Sequence, residues 1–324
     1  LELKSLKELI NSSAFNLSSK ISKKYPTLDL SANGLPQYLY SKAYNSSSVN
    51  TKTSQLKANP SLNIRWDLID PQRVYEIKLA RNNYEVAQNN YEIKRKDLIQ
   101  EARARYHKFQ KSYADSNNAK IAVELSNISL KDAQSKLDAG IGTKFEVLEA
   151  EAQLAKDIQF LEEKKISQEI DKISLKEILN FKFEENLNIS NEHKLLGFWN
   201  YTLDKNIDNG LKNSISLKNI NLQRRIKKNQ SKIFQSANQP VIYISNTISS
   251  SFTKGSALKA TIDPDASGSS YLNTLSLNFS WNFYKGGQNK NSYKAKKSEL
   301  ESEKYQSLNL KNIIKKNITE SYLN

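Results

Sequence analysis

The chain has 324 residues, a formal net charge of +15, a mean hydropathy of −0.67 and no cysteine. The lack of cysteine excludes disulfide bonds and thiolate metal sites. No apolar run approaches the roughly 18 residues of a membrane-spanning helix, which argues against a helical membrane protein. The chain opens with LELKSLKELI and stops at SYLN, both within helical patterns. Both ends therefore look cut, so the absence of a targeting segment carries little weight.

The high positive charge raises the possibility of a nucleic-acid-binding protein. The lysines, however, alternate with acidic residues and asparagines, as in the stretch KLARNNYEVAQNNYEIKRKD. The basic clusters KRKD, QRRIKKNQ and LKNIIKKN lack the glycine and aromatic pattern of an RNA-binding module. The spacing favours solvated helix faces, and a basic exterior also suits anionic lipid headgroups.

The first recognisable elements are two strands joined by a polar loop, over about residues 26–70. The first begins in YPTLDLSANGL at Tyr25, and the second lies in SLNIRWDLIDP, residues 61–71. In the second strand apolar and polar side chains alternate, which predicts one apolar and one polar face.

A long helical hairpin follows, over about residues 71–180. No glycine and no second proline occurs between Pro71 and Gly140, which predicts one helix about 100 Å long at 1.5 Å per residue. Apolar residues recur at heptad-like spacings of 3 and 4 from Ile77 to Tyr91, and the same spacing resumes beyond the break from Phe145 to Ile158. At the break, Gly140 suits a left-handed C-cap, and Thr143 with Glu146 forms a capping-box pattern.

The strand pair then returns. SLNFSWNFYKG begins at Ser276, which is 215 positions after Ser61 (276 − 61), and it places Trp281 where the first copy has Trp66. A proline-led strand candidate, QPVIYISNTIS, precedes this copy as well. Matched neighbours at matched distances indicate a duplication. We expect a first repeat over residues 1–205 and a second over 206–324, with its strand pair at about 240–285 and its end truncated.

The length and polarity of these strands suggest a membrane β-barrel. The alternation lasts about 10 residues, the length of a tilted membrane strand, and the polar face is rich in Asn and Ser, as suits a water-filled lumen. A soluble β-sandwich gives the same alternation. Four strands cannot close a barrel, so several chains would share one. The predicted lipid-facing residues are Leu62, Ile64, Trp66, Leu68, Leu277, Phe279, Trp281 and Phe283. The predicted lumen-facing residues are Asn63, Asn278, Ser280 and Asn282.

Two motifs make the chain resemble the TolC-like outer membrane factor family, the exit ducts of efflux pumps and type I secretion systems. LDAGIGTKFEVLEAEAQL is similar to the family's helix-turn-helix tip, and WNFYKGGQNK to its strand-to-helix junction. The resemblance implies a mixed α+β fold, with helical hairpins forming a periplasmic tunnel and four strands per chain forming a shared trimeric twelve-stranded barrel. It places the protein in the outer membrane of the cell.

The resemblance also implies partners and site residues. A periplasmic adaptor would dock at the tip turn, Gly140, Ile141, Gly142 and Thr143, and an inner-membrane transporter would supply the energy. Glu146 lies near the family's acidic gate position, although its residue pattern equally fits a capping role. The sequence does not decide whether the transported cargo is a small molecule or a secreted protein.

No enzymatic or cofactor chemistry is predicted. His107 and His193 are far apart in the sequence, and no nucleotide signature or metal-ligand spacing is present. Asp263 and Asp265 form a DxD pair that favours a turn over a calcium site. A soluble coiled-coil scaffold and a basic nucleic-acid-binding protein remain as alternative functions.

Overall fold

The computed structural model describes residues 1–43, 51–182, 184–185, 187, 198–258 and 267–323. The chain order is helix, strand pair, helical hairpin, two helices, strand pair and helix, which confirms the predicted mixed α+β class. The elements are α1 Glu2–Ser22, β1 Thr27–Ala43, β2 Thr51–Ile69, α2 Pro71–Asp138, α3 Lys144–Leu179, α4 Leu203–Asn213, α5 Ile215–Ser236, β3 Val241–Leu258, β4 Gly268–Ser280 and α6 Gln288–Leu323.

The four strands form one antiparallel sheet in the order β1-β2-β3-β4. The two strand pairs therefore meet at the β2–β3 ladder, where Leu62 lies opposite Ile248 and Trp66 opposite Ile244. Strands β1 and β4 each pair on one side only, so they are the two edges of the sheet. The strands are 17, 19, 18 and 13 residues long, longer than the alternation in the sequence suggested.

The second strand pair ends earlier than predicted. Strand β4 stops at Ser280, so Trp281, Asn282 and Phe283 lie beyond it and are not strand residues. The reason is that Ser280 pairs with Val241, the first residue of β3, and Val241 directly follows Pro240, which has no backbone N–H to extend the ladder. The Trp281 ring centroid still lies 6.5 Å from that of Phe279 and 5.9 Å from that of Phe283, so the aromatic row continues past the strand.

The end of β2 also differs from the simple alternation. The register shifts between Asp67 and Ile69, and Ile69 instead of Leu68 lies opposite Ile242. Leu68 is therefore the inserted residue of a β-bulge, and the predicted apolar row does not continue through it. Arg73 holds the bulge, because its guanidinium donates to the carbonyls of Asp67 at 2.7 Å and Leu68 at 3.1 Å.

The helical hairpin has the predicted boundaries. Helix α2 has 68 residues, and Asp70 caps its start by accepting from the backbone N–H groups of Gln72 and Arg73. Helix α3 ends at Asn180, whose left-handed backbone has a φ of 56°. Among the described helices, none combines the length and apolar character that crossing a membrane requires.

The chain divides into two compact units, residues 1–7 with 90–202 and residues 8–89 with 203–324. In the first unit, polar contacts join α2 and α3: Lys108 lies 2.8 Å from Asp171, and Arg105 donates to the Ser174 carbonyl at 2.8 Å. In both units, few of the described apolar side chains are buried. Of the described large side chains, only Leu175 is fully buried, with 1% of its surface exposed.

A three-residue ion pair fixes the end of α1 to the start of α2 within the second unit. The Glu76 carboxylate accepts from Lys23 at 2.8 Å and from Lys20 at 3.3 Å. Partial burial of the carboxylate opposes ionisation, but the two lysine hydrogen bonds outweigh it and lower the pKa of Glu76. The hydrogen bond to Glu76 likewise raises the pKa of Lys23.

This cluster predicts a specific loss of stability in acid. Because the folded pKa of Glu76 is below its ordinary value of 4.5, the stabilisation is complete above pH 4.5 and is lost as pH falls through the folded pKa. We expect Glu76→Gln to lower the free energy of unfolding at pH 7 by about 0.5 to 1 kcal/mol, because the group is partly exposed. Denaturant titrations at pH 7 and pH 3 measure this. The deficit of the variant should be smaller at pH 3 than at pH 7, and an equal deficit at both values would contradict the ion-pair account.

Candidate functional site

One face of the sheet is predominantly apolar. On β2 the even-numbered residues from 56 to 66 are Leu, Ala, Pro, Leu, Ile and Trp, and no register shift between β2 and β3 interrupts them. The pairing brings the predicted residues Leu62, Ile64 and Trp66 onto the same face as Leu277 and Phe279. Other members of this apolar face include Leu28, Leu30, Ile242, Ile244, Ile248, Phe252, Tyr271 and Leu275.

The apolar face has the height of a membrane and an aromatic border at each end. From Trp66 to Leu56 there are ten residue steps. At about 3.4 Å per residue and a tilt of about 40°, they span roughly 26 Å, close to the apolar band of outer-membrane barrels. Trp66 and Phe279 border the helix end, and Tyr38 and Tyr40 border the loop end, opposite Leu56 and Ser54.

Polar side chains interrupt this face at Asn246, Ser250 and Asn273. Asn246 lies between Ile64 and Leu275, and its side-chain oxygen is buried with no hydrogen-bond partner in the described part of the chain. Sequence reasoning did not place it, because only the register of β3 against β2 shows which of its alternating residues joins the apolar row.

The opposite face is a network of hydroxyl and amide groups. Asn63 accepts from Thr247 at 3.0 Å, and Asn278 donates to Ser245 at 2.8 Å, so both predicted polar residues bond across strands. Ser280 lies on the same face, opposite Val241. Further cross-strand bonds are Ser31 to Ser61, Ser245 to Ser276 and Ser251 to Asn59. Such a face is wettable, and its charged side chains include Asp29, Lys57, Arg65 and Asp67.

The charged groups near the helix end of this polar face include Arg65 and Asp67. The Arg65 guanidinium lies 3.7 Å from the centroid of the Tyr243 ring, and its Nε donates to the Asp67 carboxylate at 2.9 Å. The cation is thus held by both an aromatic face and a carboxylate. The alternation in β2 predicted that Arg65 lies on the polar face. It could not predict the contact with Tyr243, because that contact depends on the register between β2 and β3.

The repeated tryptophans make the same hydrogen bond in the two halves. The indole N–H of Trp66 donates to the Lys24 carbonyl at 2.9 Å, and that of Trp281 donates to the Asn238 carbonyl at 2.8 Å. Each acceptor lies two residues before a proline that leads into a strand. Each bond therefore ties the end of one strand to the helix-to-strand connection of its own half.

The two junctions differ in their second contact. In the first half, Arg73 also donates to the Lys23 carbonyl at 3.0 Å. In the second half, Asn289 donates to the Asn238 side chain at 2.7 Å. The tryptophan bond is thus common to both halves, whereas the side chain that supports it is not.

The turn between α2 and α3 needs its two glycines for different reasons. Gly140 has a φ of +77°, a conformation that glycine adopts without strain, and open space surrounds the position of a Cβ. Gly142 is restricted by space, because a Cβ would lie 2.9 Å from the Leu137 backbone nitrogen. Both Ile141 and Gly142 donate to the Lys136 carbonyl at 3.0 Å, which closes the end of α2.

The predicted capping box is present at the start of α3. The Thr143 hydroxyl accepts from the Glu146 backbone at 3.3 Å, and the Glu146 carboxylate accepts from the Thr143 backbone at 3.0 Å. Beside it, Ile141 and Phe145 are 80% and 74% exposed. The turn therefore presents two large apolar side chains on a rigid support.

The described residues contain no cluster of side chains that could hold a metal ion. His107 lies on α2 beside Gln110, with its ring nitrogen 3.4 Å from the amide oxygen. His193, Asp263 and Asp265 lie outside the described residues.

Comparison with known proteins gives one family match. The family model described as "Outer membrane efflux protein" matches residues 16–180, just over half of the 324 residues. The matched range extends from α1 to the end of α3, so it includes the first strand pair and the helical turn. A comparison with curated proteins gave no match.

Solved outer membrane channels share the fold. The Campylobacter jejuni CmeC outer membrane channel superposes with a TM-score of 0.74 at 17% identity, over 95% of this chain and 64% of its own. VceC from Vibrio cholerae gives 0.72 at 14% identity, over 95% and 71%. The outer-membrane channel OprN gives 0.72 at 14% identity, over 95% and 67%. The chain thus spans about two thirds of the length of these channels.

The repeated tryptophan bond predicts matched losses of stability. Trp66→Phe and Trp281→Phe each keep an aromatic ring but remove the N–H donor. We expect each to lower the free energy of unfolding by about 0.5 to 1.5 kcal/mol, the usual contribution of one hydrogen bond. Denaturant unfolding of both single variants and the double variant measures this, and the double variant should show the sum. A loss in only one half would contradict the equivalence of the two junctions.

Proposed function

Because the chain belongs to the outer membrane efflux protein family, we propose that it forms the exit duct of a tripartite efflux pump or type I secretion system. In this role it is a passive conduit and not an enzyme. A periplasmic adaptor connects it to an inner-membrane transporter, which supplies the energy. The transported cargo crosses the outer membrane through a barrel and the periplasm through a helical tunnel.

The observation that carries this proposal is the amphipathic sheet with two open edges. Its apolar face matches the thickness of a membrane, and its opposite face is lined with Ser, Thr and Asn. In hydrocarbon the unpaired backbone groups of β1 and β4 need partners, because no water is present to bond them. Three copies, joined β1 to β4, make a closed twelve-stranded barrel with a polar lumen.

The surface of the helices supports the same assembly. Ile121, Leu125 and Ile128 are spaced by 4 and 3 on α2, and their exposed fractions are 53%, 61% and 56%. They form one apolar stripe along the helix. We propose that helices of neighbouring subunits cover this stripe in the tunnel wall.

We assign adaptor docking to the turn of Gly140, Ile141, Gly142 and Thr143. Its exposed Ile141 and the neighbouring Phe145 offer the kind of apolar anchor that protein interfaces use. Glu146 is the proposed gate residue. Its carboxylate caps α3 in this structure, so gating would require it to exchange the Thr143 backbone for a residue of a neighbouring helix.

We further propose that residues 1–205 and 206–324 are two copies of one ancestral unit. Two observations support this. The indole N–H groups of Trp66 and Trp281 make equivalent hydrogen bonds, and both strand pairs belong to one sheet. A coiled-coil scaffold or a nucleic-acid-binding protein would not explain why the sheet has an apolar face as tall as a membrane is thick.

The barrel orientation predicts opposite labelling of adjacent residues. Asn278→Cys should react rapidly with a membrane-impermeant thiol reagent, because its side chain faces the lumen. Phe279→Cys should be protected, because its side chain faces lipid. The chain has no cysteine of its own, so each variant carries one reactive thiol.

Labelling is measured in intact outer membranes, with denatured protein as the reference for full reaction. Asn63→Cys and Ile64→Cys repeat the comparison in the first strand pair. Rapid labelling of Phe279→Cys and Ile64→Cys with protection of their neighbours would reverse the faces and refute the proposed barrel.

The tip turn predicts a separation of docking from assembly. Gly140→Val forces a β-branched residue into a left-handed backbone at a cost of about 1 kcal/mol or more. Gly142→Val instead collides with the end of α2. We expect both variants to assemble and insert normally but to capture less adaptor and export less cargo.

Gly140→Asn is the matched control, because asparagine tolerates the left-handed region. It should retain near-normal export. Surface-exposed oligomer and export are measured in the same cells. Normal export at normal oligomer levels in both valine variants would remove the docking role from this turn.

A further inference from the structure

Three lysines lie on the apolar face of the sheet at its loop end. Lys42 and Lys52 are directly opposite each other on β1 and β2, and Lys254 of β3 is opposite Leu56. The alternation of β2 from 52 to 66 is unbroken, so Lys52 shares the face of Leu62, Ile64 and Trp66. All three lysines are exposed. We call them the rim lysines.

The rim lysines have no acidic neighbour on the described strand segments around them. Like charges directly opposite each other on neighbouring strands are unfavourable, which is the arrangement of Lys42 and Lys52. The described strand segments around them, residues 37–43, 52–58, 251–258 and 267–270, contain no Asp or Glu. An external anion is therefore the group that would relieve this repulsion.

Their height on the sheet identifies the kind of anion. The Lys42 ammonium lies 5.9 Å from the centroid of the Tyr40 ring, at the upper aromatic border of the apolar face. Aromatic rings of this kind mark the boundary between hydrocarbon and headgroups. Lysines at and just beyond that boundary extend their charged ends to the level of the headgroups.

We propose that the rim lysines bind phosphate-bearing lipid headgroups of the outer leaflet. This inference rests on the proposed function, since that gives the apolar face its contact with lipid and its loop end the outer leaflet. Lys42, Lys52 and Tyr40 supply the phosphate contact of each subunit, and Lys254 adds charge from the neighbouring strand. The lipid thereby clamps β1, β2 and β3 at their outer ends.

A lipid fits this surface better than a free anion. The three lysines are exposed on the apolar face, so phosphate alone would stay hydrated. A lipid adds acyl chains that lie along Leu56 and the residues below it. Its binding combines the two features that the face offers, charge at the rim and hydrocarbon contact beneath.

The test uses the purified protein in neutral detergent and a bisphosphorylated glycolipid as the probe. Binding of the probe is compared with that of the same glycolipid without its phosphates, and with inorganic phosphate as a competitor. The main variant is Lys42→Gln, Lys52→Gln and Lys254→Gln combined. The triple arginine variant keeps the charge, and Lys57→Gln removes a lysine of the same strand that lies on the polar face.

We expect the triple glutamine variant to bind the probe about 100-fold more weakly, because each lysine near an anionic headgroup contributes roughly five-fold. The arginine variant and Lys57→Gln should bind like the wild type, and removal of the phosphates should weaken binding to the wild type by a similar factor. Unchanged binding by the glutamine variant, or an equal loss in Lys57→Gln, would overturn the proposal. Full competition by millimolar inorganic phosphate would assign the site to a free anion and would also overturn it.

Detergent-dependent oligomer formation is measured on every sample. A wild type that stays folded without detergent would refute the proposed function, and with it the orientation of this face. An intact oligomer that binds the probe equally with and without the rim lysines would refute the lipid site alone.

Discussion

A β-strand in hydrocarbon has to bond its backbone on both sides, and this requirement governs the structure. Within the sheet, β2 and β3 have a hydrogen-bonded neighbour on both sides. The backbone N–H and C=O groups on one side of β1 and one side of β4 have no neighbouring strand. Each open N–H or C=O group in lipid would cost several kcal/mol. Closure by further copies of the same sheet removes both edges at once. The apolar outer face, the polar inner face and the aromatic borders are then the surfaces that a closed barrel needs.

The same dependence on assembly applies to the helices. Among the described residues, Leu175 is the only large side chain that the single chain buries fully, while the stripe of Ile121, Leu125 and Ile128 stays exposed. Between α2 and α3, the contacts of Lys108 with Asp171 and of Arg105 with Ser174 are polar. Such contacts orient helices but contribute little hydrophobic stabilisation. In the proposed assembly, burial between subunits supplies the hydrophobic stabilisation that the single chain lacks.

The sequence predicted those features that depend on local chemistry. Proline and glycine fixed the limits of α2, and the capping box of Thr143 and Glu146 fixed the start of α3. The faces of Leu62, Asn63, Leu277 and Asn278 followed from strict alternation. The bulge at Leu68 could not be predicted, because it depends on Arg73 binding two carbonyls. The end of β4 at Ser280 depends on where its partner strand begins, and the grouping of the rim lysines depends on the register between strands.

The number of chains in the folded particle tests the central claim most directly. The protein is extracted in mild detergent, and the protein mass of each particle is measured under native conditions, together with its β-sheet signal by circular dichroism. The account predicts three chains per particle, and dissociation of the particle should abolish the β-sheet signal at the same point. A stable particle of one chain that keeps its β-sheet signal would contradict the shared barrel.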